Sequence, residues 1–85
     1  MTNTKLTQSQ LQAIKDLILN ADVDRQYLLP KDYRYKSFEI QFDEQDGFNW
    51  LIHGKTMSSL LRFANDYFKT AIGCKRNLLR YLKLN

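Results

Sequence analysis

Lys36-Ser37-Phe38-Glu39-Ile40-Gln41-Phe42, followed a few residues later by Phe48-Asn49-Trp50-Leu51-Ile52-His53, is the stretch from which the fold is read. In the first segment apolar side chains occupy even positions only, and in the second the large ones, Phe48, Trp50 and Ile52, are even as well. Alternation with period two on both sides of Asp46-Gly47 predicts a β-hairpin spanning 36–53. Parity constrains its register. A two-residue Asp46-Gly47 loop would pair Phe42 with Leu51 and send the two apolar sets to opposite faces. A three-residue loop, Gln45 to Gly47, pairs Phe42 with Trp50 and Ile40 with Ile52 and keeps both sets on one face. It also puts Gly47 at the left-handed position of such a loop, and this register is the one expected.

Upstream, Thr7-Gln8-Ser9-Gln10 fits a capping box, with Leu6 and Leu11 placed to close a hydrophobic staple. Leu11, Ile14, Leu17, Ile18 and Ala21 then recur at helical spacing, so a helix is expected over 7–20. Val23 to Leu29 fits a short turn of helix and nothing better defined before Pro30. Downstream, Met57, Leu60, Leu61, Ala64, Tyr67, Phe68, Ala71 and Ile72 trace an apolar stripe with period 3.6, predicting a helix over 56–72 with Thr56 as cap and Gly73 just past its end. A last helix over 75–84 would turn Leu78, Leu79 and Leu82 inward. One helix running through Gly73 is the alternative, disfavoured by the cost of glycine in a helix interior. The expected fold is thus a single α+β domain, α-β-β-α-α, with two C-terminal helices packed on the hairpin. A two-stranded sheet needs that cover.

The whole chain of 85 residues suits one domain with one small core. Hydrophobic residues at 44% are too many for a disordered chain. No apolar run approaches the roughly 18 residues of a membrane span, so no membrane partner is expected. Polar sequence follows Met1 directly, so no secretory leader is expected, and the single cysteine, Cys74, suits a reducing, cytoplasmic setting. One cysteine with one histidine, His53, is too little for a structural zinc site, so neither a metal nor a cofactor is expected.

Charge is unevenly spread. Ahead of residue 54, eight acidic residues outnumber six basic ones; from Gly54 onward Lys55, Arg62, Lys69, Lys75, Arg76, Arg80 and Lys83 face Asp66 alone. Arg76, Arg80 and Lys83 stand at i, i+4 and i+7, one stripe opposite the leucines of the last helix. Lys75 and Arg76 would lie in that helix's first turn, where the dipole disfavours cations. Free amides with two cations beside them would suit a phosphate there. A solvated basic face on an amphipathic helix accounts for the same stripe. Arg62 and Lys69 flank Asp66 at helical spacing, which local ion pairing explains as readily as binding does. Phe63 at the stripe's edge is core or an interface anchor, and Tyr81 is a second candidate anchor. Tyr33-Arg34-Tyr35-Lys36 alternates rings and cations as a single-strand grip does, and as a protected edge strand does too.

Other motifs fail on spacing. Gly54-Lys55-Thr56 lacks the glycine of a phosphate loop, since Asn49 stands five residues earlier, and the acidic turn before Gly47 does not match a calcium loop. Catalysis would rest on a meeting of His53 with Cys74, whose thiol Lys75 and Arg76 could acidify; an enzyme is not expected. Two functional expectations remain. The first is a small domain that binds nucleic acid or another polyanion through Arg76, Arg80 and Lys83, with Lys75, Lys69 and Arg62 in support and little sequence preference. The second is a protein-interaction module, an inhibitor or adaptor meeting an acidic protein surface or pairing as a homodimer, with Phe63 or Tyr81 as anchor.

Overall fold

The computed structural model describes residues 6–55 and 61–84. Helix α1, Gln8–Leu19, leads into four strands, β1 (Arg25–Leu28), β2 (Tyr35–Asp43), β3 (Gly47–Gly54) and β4 (Leu61–Phe63), and helix α2, Ala71–Tyr81, follows. The strands form one antiparallel sheet in the order β1-β2-β3-β4. Phe38, Ile40, Trp50 and Ile52 point from one face of it into a core completed by Ile14 and Ile18 of α1 and Cys74, Leu78 and Leu79 of α2.

Helix α1 starts as its first letters dictate. The Thr7 side chain accepts the Gln10 amide, and the Gln10 side chain accepts the Thr7 amide at 2.8 Å. Two orphan amide donors at the helix start are thereby satisfied. The hairpin forms with the expected parity but slides by one residue on each strand. Phe42 pairs with Phe48, Ile40 with Trp50 and Phe38 with Ile52, leaving Glu44–Asp46 as the loop. The cause is local: the Asp43 carboxylate accepts the Gln45 amide at 2.8 Å, which turns the chain one residue earlier. Gly47 keeps a left-handed φ of 105°, now as the first residue of β3.

Two expectations fail. Val23 to Leu29 is not a turn of helix: β1 pairs with β2, Tyr27 stacks on Phe38 with ring centroids 5.3 Å apart, and the Asp22 amide bonds the Tyr27 hydroxyl. Of the helix expected over 56–72, residues 61–70 are not helical, and the α-β-β-α-α order goes with it. Thr56, Met57 and Leu60, at its start, lie outside the described residues. Beyond them the backbone bonds to β3 rather than to itself. Leu61–Phe63 pairs as β4, the Ala64 amide donates to the Trp50 carbonyl, and Phe48 and Phe68 exchange both backbone bonds at 2.7 Å. The Asn49 side chain takes the carbonyls of Ala64 and Asp66. An apolar spacing that fits a helix has lost to an available sheet edge.

Gly73 does not end a helix; it sits in the first turn of one. Thr70 is the N-cap of α2, and its hydroxyl accepts the Gly73 amide at 3.0 Å. The two expected C-terminal helices are therefore replaced by one, which starts at Ala71 rather than residue 75 and stops at Tyr81. Leu84 donates to the Leu79 carbonyl and Lys83 to that of Arg80, while Lys83 takes a φ of 61°. That pair of bonds is a Schellman cap with lysine where glycine is usual. No helix among the described residues is long and apolar enough to cross a membrane.

Candidate functional site

Helix α2 is amphipathic, and its inner side is consumed by the core: Cys74, Leu78, Leu79 and Leu82 are buried. Its outer side carries Arg76 and Arg80, both exposed. Between α2 and α1 runs a groove of about 460 Å³ lined by Lys15, Leu19, Ile72, Arg76, Leu79 and Arg80. A smaller hollow of about 230 Å³ adjoins it, lined by Gln8, Leu11, Gln12, Lys15, Lys83 and Leu84. Lys15 belongs to both, so Lys15, Arg76, Arg80 and Lys83 ring one continuous stretch of the helix layer. Leu19, Ile72 and Leu79 give it an apolar floor. Among the described residues the ion pair that forms is Arg25–Asp22, a solvent-exposed contact at 3.6 Å whose members do not line this groove. The groove's cations therefore keep their charge available to a ligand.

The expected site residues divide. Arg76 and Arg80 come together as the helical spacing required. Lys83 leaves the stripe, because the cap turns it out of the helix, and joins the others through Lys15. Lys75 points inward: its Nζ donates to the Leu19 carbonyl at 3.1 Å, a cation closing the C-terminal end of α1. Lys69 is exposed in the bend before α2, and Arg62 lies on β4 opposite Ile52, so neither borders the groove. Asp66 does not sit between them on a helix face, since the stretch is not helical. Phe63 and Tyr81 are exposed, at 55% and 40%, and both border a separate cleft between β4 and α2. The phosphate pocket expected at the start of the last helix is absent. The first turn is Ala71 to Gly73, Lys75 and Arg76 belong to the second, and Thr70 occupies the amide they would have flanked.

Lys15 escapes sequence reading for a physical reason. It flanks the apolar stripe of α1, and only the packing of α1 on α2 decides which flank meets the arginines.

Tyr33 cannot stack on a base, being 5% exposed. Tyr35 is half-buried under the Arg34 guanidinium, 5.1 Å from the ring centroid. His53 and Cys74 do not meet. His53 alternates with Ile52 and so leaves the sheet on the face away from the helices, whereas Cys74 is wholly buried beneath them. Nor is the thiol acidified. Burial raises its pKa from 9.0 to about 12, and the opposing pull of Lys75 is the smaller effect. The folded state thus holds the thiol proton at pH values where the unfolded chain gives it up. Stability contributed by this group is whole below about pH 9 and is lost as pH climbs toward 12, by up to about 1.4 kcal/mol per pH unit. Urea titrations between those limits should show wild type losing stability more steeply than Cys74→Ala; equal slopes would place the thiol in water.

Compared with known proteins, the chain matches no family model, no curated protein and no solved structure.

Proposed function

We propose that this chain is a small binding domain that holds nucleic acid, or another polyanion, across its helix layer. Lys15, Arg76, Arg80 and Lys83 supply the backbone contacts. The observation that carries the reading is the gathering of these four cations around adjoining hollows that no carboxylate lines among the described residues. Contacts of this kind position a strand without reading its sequence, so little sequence preference is expected. A cytoplasmic setting, where thiols stay reduced, suits both the reading and the free Cys74.

Four phosphate contacts carry a definite salt signature. Affinity should fall about 50- to 150-fold between roughly 50 and 200 mM salt, the smaller figure applying to single strands. Arg76→Ala/Arg80→Ala should cut the affinity at low salt and halve the slope of log affinity against log salt, as anisotropy with labelled DNA and RNA would show. Binding that is absent, or indifferent to both salt and substitution, overturns the proposal.

The apolar floor favours a second reading. Ile72 is 45% exposed beside Leu19 and Leu79, a surface that an acidic, partly apolar protein segment would also fit. A defined acidic protein retained after nuclease treatment, with Arg76 and Arg80 required and no nucleic acid bound, would select it.

A further inference from the structure

Arg80 borders the groove on one side of α2. Its neighbour, Tyr81, borders a cleft of about 560 Å³ on the other side. That cleft is lined by Trp50, Tyr81 and the stretch from Leu61 to Asn65, which includes Arg62 and Phe63, and no carboxylate lines it among the described residues. The Tyr81 ring is held in place. It packs on Trp50 with centroids 5.0 Å apart. Trp50 is itself fixed by the bond its indole N–H donates to Asn77 Oδ1 at 2.9 Å. Tyr81 nevertheless remains 40% exposed. A positioned aromatic ring with an open side, beside a guanidinium that makes no ion pair among the described residues and next to a run of exposed cations, is the arrangement that grips unstacked bases. A base inside a duplex keeps both its faces covered by its neighbours and cannot present one to such a ring.

We propose that the cleft between β4 and α2 receives a base of single-stranded nucleic acid, stacked on Tyr81 beside Arg62, while the strand's phosphates cross Arg80 and Arg76. The inference rests on the polyanion reading and narrows it to single strands.

Trp50 is the chain's only tryptophan and lines the cleft, so its emission reports occupancy. A single-stranded oligothymidine of about 12 nucleotides, and a duplex of the same length, would each be titrated against wild type, Tyr81→Leu and Arg62→Ala. The single strand should change Trp50 emission and bind more tightly than the duplex. Tyr81→Leu, which keeps bulk against Trp50 but removes the aromatic face, should weaken single-strand binding about tenfold and leave the duplex unchanged. Arg62→Ala, an exposed change on β4, should weaken the single strand about threefold. Equal affinity for the two forms, or variants that match wild type, overturns this inference while salt-dependent binding through Arg76 and Arg80 leaves the broader reading standing. Failure to bind either form overturns both.

Discussion

Gly47→Ala is expected to cost about 2–5 kcal/mol, a large part of the margin of so small a domain. Two independent penalties meet at this residue. Its φ of 105° is a conformation that L side chains rarely adopt, and a Cβ there would stand 2.5 Å from the Phe68 carbonyl oxygen. That oxygen cannot retreat, because it accepts the Phe48 amide while Phe68 donates back to Phe48, two of the bonds that tie the segment after β4 onto β3. The matched control is Gly73→Ala. An added Cβ meets the end of the Thr70 side chain at 3.0 Å in an otherwise helical setting, so the crowding roughly offsets the gain in helix propensity of about 1 kcal/mol. Urea melts followed by Trp50 emission would compare the two. Similar midpoints for both variants would mean that the contact between Gly47 and Phe68 is not formed.

The second large effect is Phe38→Ala, at about 3–5 kcal/mol. Phe38 is fully buried, stacked on Tyr27 and enclosed by the core, so truncation leaves a cavity that rigid neighbours cannot fill. Phe42 lies on the same strand and the same face, four residues on, yet it is 46% exposed and its ring packs on Phe48 at 4.8 Å. Phe42→Ala should cost only about 1 kcal/mol. Melts of the two variants that coincide would contradict the placement of the core's edge between them.

This pair of phenylalanines marks how far the sequence could be read. Alternation assigns Phe38 and Phe42 to one face, correctly, because side-chain direction along a strand is a property of the strand itself. It does not say where the helices stop covering that face. The capping box at Thr7 was legible for the same reason: its partners are three residues apart. The hairpin's parity followed from periodicity, but its exact register turned on one Asp43 side-chain bond. The stretch from Leu61 to Phe68 has a spacing that suits a helix, while the partners it finds, on β3, lie between 8 residues back (His53 for Leu61) and 20 (Phe48 for Phe68). Gly73 misled by composition. A glycine's cost of about 1 kcal/mol in a helix is small beside the Thr70 cap and the burial of Cys74, Leu78 and Leu79. Of the groove, the Arg76–Arg80 spacing was visible. The contribution of Lys15, the diversion of Lys75 and the separation of Arg62 all depend on how distant elements dock.

The bond from Lys75 to the Leu19 carbonyl joins residues 56 positions apart, whereas the turn between β2 and β3 brings together residues four apart. The entropy of closing the wider circuit exceeds that of the tighter one by on the order of 2–3 kcal/mol. Each helix also rests on the sheet through Phe38, Ile40, Trp50 and Ile52, so the clasp adds to that shared core a closure entropically costlier than the turn's.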